Sequence, residues 1–315
     1  QEEGRINTST SVNCPGHYEV GGRKFHCWRR GGHGRVSLDR ALAESCDVYF
    51  FDFAMKVGID KIAEMGRKLG LGVRHELPMS AITEGVIPDK AWKTEKQKSE
   101  WRIGDTINAS IGQGYVLTSP LQLAVMAARI ASGTSVSPRL VLSVDGQEVP
   151  VAEVAPLDVN AAQLRAVQAG MYGVMNGPRG TARSARIVEA GMLMAGKTGT
   201  AQVVGLPQDD RARRARILSG RFRDHALFAC FAPYKQPEIA VTVIVENAGH
   251  GGSVAAPIAR KIVDAYFQLK KERAAPKIAP AVPADSRYEG RKQPDAEQAE
   301  QLEAAREDEG GEEDE

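Results

Sequence analysis

The stretch AGKTGTAQVVG, residues 195–205, decides the fold. It is β-rich, yet it opens on a lysine, two threonines and a glycine instead of the apolar alternation of an ordinary strand. A lysine ammonium at a strand edge can hold a carboxylate, and the threonine hydroxyls add hydrogen bonds to it. Gly199 has no side chain, so an extended peptide can lie along the strand and pair with its backbone. The amide of Thr200 is then left to stabilise an oxyanion. Taken alone, Lys197-Thr198-Gly199-Thr200 also fits an ordinary surface turn, so the surrounding segments carry the weight.

Downstream, HALFACFAPY (225–234) and EIAVTVIVEN (238–247) are β-rich runs joined by the short turn KQPE, which predicts adjacent antiparallel strands. SVAAPIARKIVDAYFQLK (253–270) then predicts a helix that can cover the sheet. Upstream, TSPLQLAVMAARIASG (118–133) has a hydroxyl cap, Pro120 in its first turn and a terminating Gly133, and DVNAAQLRAVQAGMYGVMN (158–176) is a second amphipathic helix. Between them LVLSVDGQEVP predicts a small hairpin around Asp145-Gly146. SLDRALAESCDVYFFDFAMKVG (37–58) predicts one or two helices with Ser45 near a break, and IDKIAEMGRKLG a further helix closed by Gly70. Residues 73–108 are polar and irregular, and residues 1–36, rich in Gly, Asn and Arg, predict an irregular loop or hairpin. The class expected is α/β.

An apolar share of 42% fills a real core, and a net charge of +1 leaves no global field for nucleic acid. No run of about 18 apolar residues occurs, so neither a signal peptide nor a membrane span is expected in these residues. Residues 272–315 turn to Ala, Pro, Glu and Asp, the composition of a disordered acidic tail. Cys14, Cys27, His33 and Cys46 crowd the N-terminal part; three thiols and an imidazole suit tetrahedral zinc. A Cys14–Cys27 disulfide with Cys46 buried and free is the competing reading, and His26 could replace His33. Cys230, Trp92, Trp101 and His225 fit packing or capping.

Ser45-Cys46-Asp47 supplies an S-x-D loop to go with the KTG strand. With ASIGQGYVLTSPLQLAVMAARIASGT (109–134), MYGVMNGPRGTA (171–182) and HALFACFAPYKQPEIAVTVIVEN (225–247), the chain resembles the transpeptidase domain of class B penicillin-binding proteins, most closely the elongation-specific penicillin-binding protein 2 subfamily. The resemblance runs from about Cys14 to Leu269 and implies the penicillin-recognising fold, an antiparallel sheet flanked by helices, with residues 1–271 as the C-terminal part of the domain. Asp47 stands where the general motif has Asn, as in the elongation subfamily.

By that resemblance Ser45 relays protons, Asp47 orients the donor peptide, and Lys197, Thr198 and Thr200 grip the terminal carboxylate of a D-Ala-D-Ala stem peptide or a β-lactam. Zinc in this loop, held by Cys14, Cys27, His33 and Cys46, would position Ser45 and Asp47. The partners implied are the membrane glycosyltransferase and the scaffold protein of the rod elongation complex, at the periplasmic face of the inner membrane. No serine in the sequence has a lysine three residues later, so the S-x-x-K nucleophile and a membrane anchor are expected upstream of Gln1, and the chain alone is expected to be inactive. A D,D-carboxypeptidase or β-lactamase-type hydrolase, and a non-catalytic peptide- or partner-binding pseudoenzyme, remain as alternatives. Gly112-Gln113-Gly114-Tyr115 forms a tight turn near the cleft, with structural and substrate roles both open. The basic segment 209–225 fits a solvated loop, or contact with anionic glycan or a membrane surface.

Overall fold

A computed structural model describes residues 4, 7, 9–204 and 220–274. Its first compact unit, Gln1–Leu269, holds every described element except the end of the last helix. The N-terminal segment is more ordered than a single hairpin. Strands β1 (Val12–Cys14) and β4 (Gly34–Val36) pair antiparallel, and between them β2 (His17–Val20) and β3 (Arg23–His26) form their own hairpin. Helix α1 (Leu38–Ala43) and α2 (Asp47–Val57) are separated at Ser45, as the sequence predicts, and α3 (Ile59–Lys68) follows.

Two helices interrupt the stretch expected to be irregular, α4 (Lys90–Gln97) and α5 (Ile103–Ala109). Both are short and polar, so apolar periodicity misses them. Local bonds hold them instead: Asp89 caps α4 by accepting from the Trp92 amide at 2.8 Å, and the Asp105 carboxylate accepts from the Arg102 amide at 2.7 Å at the start of α5. Helix α6 (Pro120–Ser132) has the predicted hydroxyl cap in Ser119, whose amide donates in return to the Gln122 side-chain oxygen, and Gly133 at its left-handed end. The β5–β6 hairpin (Ser143–Val144, Gln147–Glu148) turns at Asp145-Gly146, and α7 (Ala161–Asn176) is capped by Asn160.

Strands β7 (Ala195–Ala201), β8 (His225–Ala232) and β9 (Ile239–Val245) form one antiparallel sheet in the order β7-β8-β9. Helix α8 (Ala255–Ala274) packs its buried Ala256, Ala259, Val263 and Phe267 into the cluster that holds Phe228, Cys230 and Val243. On the other face Ala195 and Phe231 meet Ile130 of α6 and Met171 of α7. Burial of β8 on both faces explains why its text is continuously apolar and not alternating. Helix α8 runs past residue 271 to Ala274, so residues 272–274, which composition assigns to the tail, are helical; residues 275–315 lie outside the described residues, as do 209–219 of the basic segment.

Candidate active site and thiol cluster

The link between α1 and α2 is a Schellman turn. The Cys46 amide donates to the Ala41 carbonyl at 2.9 Å, the Ser45 amide to the Leu42 carbonyl at 3.4 Å, and Ser45 occupies the left-handed position with φ 52°. That position normally takes glycine, because a Cβ there crowds the backbone. Here it carries a hydroxyl. Helix α1 brings this turn to the sheet by packing closely on α7: a Cβ at Gly170 would stand 2.3 Å from Leu42 Cδ1, and one at Gly173 3.2 Å from Ala43 Cβ. The Thr181 amide, just beyond α7, donates to the Ala43 carbonyl at 3.2 Å.

Across this joint the Lys197 ammonium donates to Ser45 Oγ, joining residues 152 apart in sequence, and also donates to the Thr198 carbonyl at 2.9 Å. The hydroxyl of Thr198, the next residue along the strand, meets the Thr181 hydroxyl at 2.8 Å. Burial lowers the Lys197 pKa to about 8, a shift partly opposed by the charge of Asp47. Asp47 moves the other way, up to about 7, through burial and the negative charge of Cys27, opposed by the hydrogen bond from the Trp28 amide. The two charges lie close enough to act on each other, and the Lys197 ammonium is the one of the pair that touches the Ser45 hydroxyl.

Trp28 is a member of this site that the sequence did not single out. Its backbone amide donates to Asp47 Oδ2 at 2.9 Å, while its indole N–H donates to the Ser45 carbonyl at 2.8 Å and the Glu44 carbonyl at 3.1 Å. One tryptophan thus clamps both polar members of the S-x-D loop. Its neighbour in sequence, Cys27, was the available signal. Glu44, buried at the same turn, takes Arg40 at 2.9 Å, Arg179 at 3.0 Å and Arg29 at 3.6 Å. These tie the α1 end to the segment after α7.

Cys14, Cys27, His33 and Cys46 are all buried, and their ligand atoms lie within 4.8 Å of one another. All four cysteines of the chain, Cys230 included, are free thiols, so Cys14 and Cys27 are not bonded to each other. His33 occupies the cluster, and His26 sits in the β3 strand opposite His17. A zinc tetrahedron with Zn–S near 2.3 Å and Zn–N near 2.05 Å has S···N edges of about 3.6 Å. His33 Nδ1 stands 3.6 Å from Cys14 Sγ and 3.5 Å from Cys27 Sγ, so the donor set fits that ion in chemistry and in spacing. Donation from the Cys46 thiol, helped by the Arg29 and Asp47 amides, lowers the Cys27 pKa against burial, while Cys46 is pushed up as the proton-bearing partner. The bonds to Cys27 favour its thiolate, the form in which a cysteine ligates a metal.

Thr200 and Gly199 follow Lys197 and Thr198 on β7, whose second edge carries no strand among the described residues. The remaining residues singled out in the sequence take packing or capping roles: Cys230 is buried in β8, His225 Nδ1 accepts from the Asn247 amide at 2.9 Å, Trp101 donates to Thr106 at 2.8 Å, and Trp92 packs on Tyr115.

The family model of the penicillin-binding protein transpeptidase domain matches residues 1–264. A relative named peptidoglycan D,D-transpeptidase MrdA, from Haemophilus influenzae, is 37% identical over 278 residues, which cover 86% of this chain and 42% of that protein. Among solved structures, Pseudomonas aeruginosa PBP2 in complex with WCK 5153 is similar with a TM-score of 0.73 at 36% identity, covering 84% of this chain and 55% of that one. Helicobacter pylori PBP2, in a complex with MreC, has a TM-score of 0.74 at 31% identity, covering 86% and 47%. The chain thus spans about two fifths of the curated relative's length. Match, identity and the Lys197–Ser45 geometry agree, and the chain belongs to the penicillin-binding protein transpeptidase family.

Proposed function

We propose that this chain forms the C-terminal part of the catalytic domain of a peptidoglycan D,D-transpeptidase of cell elongation. The observation that carries the reading is the hydrogen bond from Lys197 to Ser45, which joins the KTG strand to the S-x-D loop. Lys197, Thr198 and Thr200 hold the terminal carboxylate of a D-Ala-D-Ala stem peptide or of a β-lactam, and the free edge of β7 beside Gly199 receives the peptide backbone. Ser45 passes a proton between the leaving amine and the base, and Asp47, fixed by the Trp28 amide, orients the donor. The attacking serine belongs to an S-x-x-K segment outside these residues. It acylates on the penultimate D-Ala carbonyl with release of D-Ala, and an amine of a neighbouring stem peptide takes the acyl group.

The four-ligand cluster holds a structural zinc ion, whose role is to fix the 14–33 segment against the Ser45 turn. Its support is the spacing of His33 from two sulfurs. The partners proposed are the scaffold protein and the membrane glycosyltransferase of the elongation complex, at the periplasmic face of the inner membrane; a relative solved with MreC supports the scaffold. No nucleic acid enters this reading.

Covalent labelling of the full-length protein by a fluorescent penicillin tests the function. Lys197→Ala and Ser45→Ala should each slow acylation about a hundredfold or more while the protein stays folded. Undiminished labelling of both variants would remove the site from the reaction.

A further inference from the structure

The outer edge of β7 is not open along its whole length. The Thr200 carbonyl and the Gln202 amide both face away from β8, and both are already bonded. The carboxamide of Gln113 donates to the Thr200 carbonyl at 2.8 Å and accepts from the Gln202 amide at 3.3 Å. A carboxamide has one donor side and one acceptor side, so it takes the two bonds that one residue of an added parallel strand would make. The turn that delivers it is built for the purpose. Gly112 and Gly114 both hold left-handed backbone, φ 73° and 72°, and both are exposed, while Gln113 between them is half-buried and its own amide donates to the Asn108 carbonyl at 2.9 Å. The turn places a single side chain against the strand.

We propose that Gln113 is a specificity-determining residue, whose carboxamide occupies the edge of β7 beyond the Thr200 amide and competes with a ligand's backbone for the Thr200 carbonyl. The proposal rests on the reading of β7 as the peptide-binding edge. A ligand held only by Lys197, Thr198 and the Thr200 amide leaves Gln113 in place. A ligand that also offers an amide N–H to the Thr200 carbonyl approaches along the strand edge that the carboxamide occupies, has to share that oxygen with it or push it aside, and binds more weakly for that.

Two β-lactams separate these cases in the full-length protein. Benzylpenicillin carries a side-chain amide N–H, and a carbapenem carries a hydroxyethyl group in its place. Gln113→Met keeps the side-chain length and removes both bonds to β7. The second-order acylation rate of the variant should rise about fivefold with benzylpenicillin, the worth of one neutral hydrogen bond, and stay unchanged with the carbapenem. An equal change with both ligands, or no change with either, would overturn the proposal. Hydrogen exchange reads the contact itself: the Gln202 amide should exchange faster in Gln113→Met at unchanged melting temperature, and an unaltered rate would also overturn it. If neither β-lactam acylates the unmodified protein, the transpeptidase reading fails, and the exchange at Gln202 still decides whether Gln113 holds this edge.

Discussion

Ser45 sits where a Schellman turn prefers glycine, and the strain and the hydroxyl are two properties of one residue that substitution can separate. Ser45→Gly relieves the left-handed backbone and Ser45→Ala does not, so the glycine variant should be the more stable of the two by about 1 kcal/mol in denaturant unfolding, with acylation slowed to a similar degree in both. Lys197 offers a test by pH. Its pKa is lowered to about 8, so the ammonium that holds a carboxylate is present below that pH and lost above it. Acylation should fall as pH rises through about 8, and in Lys197→Arg that descending limb should move beyond pH 10, because a guanidinium keeps its charge. Both residues were legible in the sequence, because a serine at a helix break and a lysine opening a strand are local patterns. Trp28 was not: its indole acts on carbonyls 16 and 17 residues away, a distance no periodicity encodes.

Among the elements, the approach of α1 to α7 sets the distance between the S-x-D loop and β7. A methyl group at Gly170 would stand 2.8 Å from Leu42 Cβ as well as against its Cδ1, so Gly170→Ala should cost about 1–3 kcal/mol in spite of the better helix propensity of alanine. Leu42→Ala in the same chain should recover part of that loss, a coupling that a double-mutant cycle reads directly. The sheet, its three strands and the five longer helices could be read from caps and apolar period. Helices α4 and α5 could not, because eight and seven residues of mostly polar text give no stripe, and their stability comes from Asp89, from Asp105 and from the buried Lys93 that pairs with Asp105.

On the scale of the whole molecule, three buried clusters share the work among the described residues, and the one nearest Ser45 is built around three cysteines. That cluster joins Cys14, Cys27 and Cys46 to Val36, Tyr49 and Phe51, so a bound ion would brace β1, β4 and α2 together. Chelation of protein purified with its metal should release one zinc per chain and lower the melting temperature by about 10 °C, with acylation declining in parallel. Restoration by added zinc, followed by calorimetry, would complete the test. Composition predicted which atoms meet here, but not that they are buried beneath an aromatic wall, since that depends on α2 folding back over the N-terminal strands.

Sulfur atoms gathered within bonding range of a metal are also within reach of each other. If the cluster takes up the proposed zinc and the chain matures in the proposed oxidising compartment, newly made chain would face a race: an ion that arrives first would lock the thiols into a closed shell, while an oxidant that arrives first would join two of them and strip the shell of half its donors. On that reading the yield of working protein would be set by the order of two encounters during maturation, and it should respond to metal supply at the moment of folding more than to any later addition.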